Sequence, residues 1–143
     1  MINSRDFDKL RPRTREKAIA FQTACREAGL PVLIYQTLRD AEYQDQLYAQ
    51  GRTKPGKIVT NAKGGQSYHE YGVAFDFVPL VGGVPAWGDM KRYDLCIQIG
   101  EKLGLESGKY FKSSTGKPLV DLAHMQDTMG FTIADYAAGK APE

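Results

Sequence analysis

Apolar positions recur at helical spacing early in the chain. After Pro12, which a helix tolerates in its first turn, Ala18, Phe21, Cys25 and Ala28 fall on one face. Gly29 and Pro31 close that segment. Val32-Leu33-Ile34-Tyr35 is a short apolar run between turn residues and predicts a buried strand. Thr37 opens a second helical stretch that runs through Leu47 and Tyr48 to Gly51, with Asp40 placed as the partner of a capping box. Arg52 to Gln66 is polar and glycine-rich, follows neither period, and predicts a long loop with room for a short strand at Ile58-Val59-Thr60.

Val73 to Leu80 predicts the next strand, and Gly82-Gly83 a hairpin-like turn. Tyr93, Cys96, Ile97, Gly100 and Leu103 share one face of a third helix that Gly104 stops. Leu119 to Gln126 predicts a last strand region, and Ile133 to Ala138 a short terminal helix. Helices come first, then strands with one further helix between them. That order predicts an α+β fold: a small antiparallel sheet with the N-terminal helices packed on it. A length of 143 residues fits one domain spanning residues 1–143.

Composition narrows the function classes. Hydrophobic residues make up 42% and charged residues 25%, ordinary for a globular chain. No apolar run approaches the roughly 20 residues that span a bilayer, so no membrane insertion is expected. The N-terminus lacks the apolar core of a signal peptide, so the chain is expected to stay in the cytoplasm in which it is made. Nineteen Lys and Arg against seventeen Asp and Glu give a net charge of +2, too weak for a nucleic-acid binder. Arg11, Arg13, Arg15 and Lys17 read as a solvated helix face. Cys25 and Cys96 sit among apolar neighbours and read as two buried free thiols.

The candidate chemistry centres on two histidines, each with a carboxylate nearby: His69 with Asp76, and His124 with Asp121. A catalytic zinc site needs imidazole and carboxylate ligands and keeps one position for water. A second carboxylate beside that water can take its proton and later pass it to a leaving amine. His69, Asp76, His124 and Asp121 supply that set with nothing to spare. Asp76 lies between Phe75 and Phe77, so strand alternation sends it to the face opposite the two rings. A buried carboxylate there needs a metal or an ion-pair partner, and Arg39 or a lysine would also serve. Gly72 lets the chain bend between His69 and Asp76.

Residues 67–76 read S-x-H-x-x-G-x-A-x-D, from Ser67 through His69, Gly72 and Ala74 to Asp76. This string resembles the signature of the VanY-type zinc peptidases, the D-Ala-D-Ala carboxypeptidase and L-alanyl-D-glutamate peptidase group. Arg39 to Gln66 is similar to the phage endolysin branch of that group, and Asp121-Leu122-Ala123-His124 to its D-x-x-H element. The resemblance covers roughly residues 15 to 138.

It implies a hedgehog/D-Ala-D-Ala-peptidase-like fold, with His69, Asp76 and His124 as Zn2+ ligands and Asp121 as the catalytic acid/base. It implies Arg39 near the substrate as an oxyanion stabiliser, and Ser67 and Gln44 as substrate-binding positions. The implied partner is bacterial peptidoglycan, cut at the L-alanyl–D-glutamate bond of the stem peptide. The enzyme would act as a monomer without a separate wall-binding domain. It would wait in the host cytoplasm until a holin-type lesion admits it to the wall. A D,D-carboxypeptidase and a non-catalytic wall-binding module are the alternatives. Ala123 and Met125 replace a proline and an aromatic that often flank the second histidine in relatives. Ser107 to Lys112 stands where many relatives have a Trp-Gly-Gly-Asp-Trp-like segment. Trp87, the only tryptophan, is a candidate for the cleft wall or the core.

Overall fold

The computed structural model describes residues 1–113 and 115–140. Helix α1 spans Pro12–Glu27, strand β1 Val32–Gln36, helix α2 Ala41–Ala49, and strand β2 Ala74–Val81. Strand β3 spans Val84–Pro85, helix α3 Met90–Lys102, strand β4 Glu106–Ser107, strand β5 His124–Gln126 and helix α4 Ile133–Ala137. The strands form one antiparallel sheet in the order β1-β2-β5-β4, with β3 hairpinned onto the far end of β2. The expected α+β fold with a small antiparallel sheet is what the chain adopts.

Strand β2 organises the molecule. Its rings Phe75 and Phe77 point to one face, where Phe21 of α1 meets them at centroid distances of 5.7 and 5.1 Å. Tyr93 of α3 packs on Phe77 at 5.3 Å. Cys25 and Cys96 are buried there as free thiols, as expected. Asp76 takes the opposite face, as alternation requires. Its register neighbours are Gln36 on β1 and His124 on β5, so the sheet pairing itself sets His124 beside Asp76.

Several local readings change. Helix α2 begins at Ala41, and Asp40 is its cap: the Asp40 carboxylate accepts from the Tyr43 amide at 2.9 Å. Thr37 lies before the helix, fully buried, with its hydroxyl donating to the Asp6 carbonyl at 2.9 Å. No strand forms at Ile58–Thr60. The last strand is only His124–Gln126, because residues 121–124 are a turn closed by His124 N donating to Asp121 O at 3.3 Å.

The basic residues of α1 are not simply a solvated face. Arg13 and Lys17 converge on buried Asp127 at 2.9 and 3.2 Å, and Arg11 Nε donates to the Tyr71 carbonyl at 2.8 Å. They fasten α1 to the segments that follow His69 and His124. The Gly82-Gly83 turn is as expected, with φ of +60° and +78°, a pair that suits a two-residue hairpin.

Candidate metal centre and cleft

His69 lies in a 3-10 turn, Tyr68–Tyr71, that its own sequence caps. The Ser67 hydroxyl accepts from His69 N at 3.3 Å, and the Glu70 carboxylate accepts from Ser67 N at 2.9 Å. Gly72 ends the turn at φ +73°, where a side chain would also crowd the Lys9 carbonyl at 3.2 Å. The chain then enters β2, and Asp76 returns to face His69.

The hydrogen bonds on the outer sides of the rings fix the site. His69 Nδ1 lies 2.9 Å from the Thr37 carbonyl, which can only accept, so Nδ1 carries the proton and Nε2 is bare. His124 Nε2 lies 2.7 Å from Gln126 Oε1, which leaves Nδ1 as the inward nitrogen. His69 Nε2 stands 3.0 Å, and His124 Nδ1 3.6 Å, from the same Asp76 oxygen. One ligand atom from each residue lies within 4.8 Å of the others. All three residues are buried. Three lone-pair donors aimed at one point repel each other unless a cation lies between them. Two imidazoles and a carboxylate, with outer ring nitrogens anchored, are the donor set that suits zinc.

The charges around the site follow from this crowding. Burial lowers the His69 pKa, and the Asp76 charge only partly opposes it. Burial also disfavours a charged His124, but its hydrogen bond and charge interaction with Asp76 prevail and raise its pKa. Asp76 is buried, yet the two histidines hold its carboxyl far below the ordinary range.

Asp121 keeps an exposed side toward the cleft. Desolvation by the surrounding protein, then the Asp76 charge, raises its pKa. That is the direction a general base requires. Its backbone is held by Asp121 N donating to Gly108 O at 2.9 Å.

Arg39 joins the group from the other side. Its Nη2 lies 3.2 Å from the second Asp76 oxygen, and its Nη1 donates to Gln44 Oε1 at 3.1 Å. Asp76 therefore answers both sequence readings at once: one oxygen faces the histidines and the other an arginine. Arg39 Nε is buried without an acceptor among the described residues.

Gln44 lies behind Arg39. It is fully buried, accepts from Arg39 Nη1 and donates through its amide to the Ala62 carbonyl at 2.7 Å, so it links Arg39 to the loop. Ser67 does line the cleft, with its hydroxyl engaged in the cap. Trp87 belongs neither to the core nor to the cleft wall. It is 57% exposed and packs edge-on at 5.1 Å against Tyr35, which does line the cleft.

The cleft has a volume of about 890 Å3. Residues 58–62 form part of its wall, with Phe111, Lys112, Leu119, Val120 and Asp121. Arg52 secures the long loop, stacking at 3.8 Å on the Tyr48 ring and donating to Thr60 O at 3.0 Å. The sequence reading missed Gln126, Gly108 and the Thr37 carbonyl. Gln126 was legible: two residues past His124 on one strand, it shares the same face. Gly108 was not. A Cβ there would collide with the Asp121 carbonyl oxygen and sit 3.0 Å from His124 Cβ, which only the folded turn reveals.

A sequence model described as D-alanyl-D-alanine carboxypeptidase, VanY, matches residues 8–104, a span that includes His69 and Asp76. The peptidoglycan L-alanyl-D-glutamate endopeptidase CwlK of Bacillus subtilis (strain 168) is 48% identical over 124 residues, covering 79% of this chain and 73% of that protein. Among solved structures, the L-Ala D-Glu endopeptidase ChiX of Serratia marcescens superposes with a TM-score of 0.63 at 21% identity, over 92% of this chain and 86% of that one. A VanY D,D-pentapeptidase mutant in complex with Zn(II) superposes with a TM-score of 0.61 at 17% identity, over 89% and 83% of the two chains. At such identities the structural likeness shows a shared fold. The sequence matches go further, and by them the chain belongs to the VanY family of peptidases.

Proposed function

We propose that this protein is a zinc peptidase that hydrolyses the L-alanyl–D-glutamate bond in the stem peptide of bacterial peptidoglycan. The observation that carries the reading is the convergence of His69 Nε2, Asp76 Oδ1 and His124 Nδ1, with Asp121 beside them in an open cleft. The 48% identity to an L-alanyl-D-glutamate endopeptidase supports the choice of bond. The Zn(II) in a VanY relative of the same fold supports the metal.

His69, Asp76 and His124 would hold the ion. Bound zinc supplies a Lewis acid and acidifies a water molecule. Asp121 takes the proton of the attacking water and returns it to the leaving amine. In the metal-free protein, desolvation and then the Asp76 charge raise its pKa. Arg39, held by Asp76 and Gln44, keeps a positive charge beside the carbonyl as negative charge develops on it. Ser67 shapes the cleft wall next to His69.

The family description favours one second reading, a D-alanyl-D-alanine carboxypeptidase. Incubation of the zinc-loaded protein with purified peptidoglycan, with a chelated control, separates the two. New chelator-sensitive ends between L-Ala and D-Glu, seen by mass spectrometry, are the expected result. Release of free D-Ala alone would replace the endopeptidase with the carboxypeptidase. Wall binding without cleavage would leave a non-catalytic module. The finer proposal, host lysis after release from the cytoplasm, rests on the similarity of residues 39–66 to phage endolysins. Its test is lysis on co-expression with a membrane-permeabilising protein and no lysis without it.

A further inference from the structure

The cleft holds a small set of charges. Its lining carries two carboxylates, Asp76 and Asp121, and two cations, Arg39 and Lys112. Arg39 is engaged: its guanidinium faces Asp76 and Gln44. Lys112 is not. Its ammonium has no hydrogen bond or ion pair among the described residues, while other lysines such as Lys17 and Lys109 do pair with carboxylates.

Lys112 is nonetheless well placed. The preceding residue, Phe111, packs on the His124 ring at 5.0 Å. The Lys112 backbone is bridged to Pro118, and Leu119 N donates to Phe111 O at 2.8 Å. The stem of Lys112 therefore starts one residue from a contact with the candidate metal site. Its side chain lines the cleft, and a lone cation on that wall is suited to an anion on the substrate.

The proposed substrate has one. In the stem peptide D-glutamate continues through its side-chain carboxyl, so its α-carboxylate is free. That carboxylate sits on the carbon bearing the leaving nitrogen. A carboxylate entering there meets the charge of Asp121 and needs a cation to offset it.

We propose that Lys112 is the carboxylate-recognition residue of the cleft, binding the free α-carboxylate of the residue that leaves. The assignment rests on the endopeptidase reading. It makes the enzyme selective for D-glutamate over D-isoglutamine, the α-amide found in some walls, because the amide carries no charge.

The test compares two synthetic stem peptides, L-Ala-γ-D-Glu-L-Lys-D-Ala and its D-isoglutamine counterpart, with the zinc-loaded protein and its Lys112→Met variant. The wild type is expected to show a KM about fivefold lower for the acid, the upper range for an ion pair in contact with water. That preference is expected to shrink as salt is raised. For K112M the two peptides become equivalent, through a higher KM for the acid. Equal KM values for the wild type, or a preference that survives in K112M, would overturn the assignment of Lys112 alone. Failure of the wild type to cut either peptide would overturn the endopeptidase reading and the Lys112 assignment with it. Lys112 is exposed, so a melting temperature matching the wild type is the check that K112M folds.

Discussion

The carbonyl oxygen of Thr37 lies 2.9 Å from Nδ1 of His69, and this backbone group decides which nitrogen His69 offers to the site. A carbonyl cannot donate, so the ring must present Nε2 inward. Thr37 is fully buried, and Thr37 N donates to the Ser4 carbonyl at 2.7 Å, so the acceptor is well anchored. No side-chain substitution at position 37 removes that acceptor. On His124 the corresponding acceptor is a side chain, Gln126 Oε1, and it can be removed.

Gln126→Leu is therefore expected to weaken zinc binding by about 10- to 100-fold, the usual cost of losing the outer partner of a metal-bound histidine. Competition with a chromophoric chelator measures this. Nitrogen chemical shifts of His124 in the metal-free protein should show the loss of a single tautomer. Gln126→Glu keeps an acceptor and should retain zinc. Equal affinity in the wild type and Gln126→Leu would show that Phe111 and Asp76 orient the ring unaided.

His69→Ala, Asp76→Ala and His124→Ala are each expected to lose zinc and activity together. Asp121→Asn should keep zinc and lose about 10²- to 10⁴-fold in turnover, the range for a proton-transfer group. Metal content by atomic emission, measured on the same preparations as activity, separates the two classes. An Asp121→Asn enzyme that turns over normally would remove Asp121 from the proposed mechanism.

The acid limb of the pH profile follows from Asp121. Its pKa is raised by desolvation first and by the Asp76 charge second. A general base must be ionised, so kcat/KM is expected to fall as Asp121 takes up its proton on acidification; bound zinc, a cation close by, favours the ionised form and opposes the shift that burial causes. Rate profiles with a soluble peptide measure it, provided zinc is kept saturating. An acid limb left unchanged by Asp121→Asn would show that Asp121 is not the titrating base.

The sequence carried the site better than its supports. Alternation around Asp76 and the bend at Gly72 are local rules that bring His69 and Asp76 together; the resemblance in residues 67–76 and 121–124 singled out the three as a set, and the strand register sets His124 alongside. Elements with strong local patterns, α1, β1, β2 and α3, also emerged close to their observed bounds. The hydrogen bonds of Gln44 to Arg39 and Ala62 were not legible, because those partners come from two other segments. The short strand β4, Glu106–Ser107, was invisible because two residues have no period and pair only with β5. The basic residues of α1 read as solvated because the buried Asp127 that draws in Arg13 and Lys17 lies more than a hundred residues away.

Gly108 gives the sharpest steric test of the site. A methyl group there would overlap the Asp121 carbonyl oxygen and press on His124 Cβ at 3.0 Å and Asp121 Cβ at 3.1 Å. These are backbone and first side-chain atoms, which cannot swing aside as the end of a long side chain can. The turn that carries both Asp121 and His124 must therefore move. Overpacking of this kind costs about 1–3 kcal/mol of stability. The catalytic cost is larger, since displacements approaching 1 Å at a reacting group lower rates by about 10²-fold. Gly108→Ala is thus expected to fold with a reduced melting temperature, bind zinc more weakly through His124, and lose most of its turnover. Gly116, where the same methyl group meets nothing within 4 Å, provides a control at a glycine outside the site. Because Gly116 has φ +81°, its alanine variant should lose some stability but keep its zinc affinity. A Gly108→Ala enzyme with normal zinc affinity and turnover would mean that the turn absorbs the methyl group without moving Asp121 or His124.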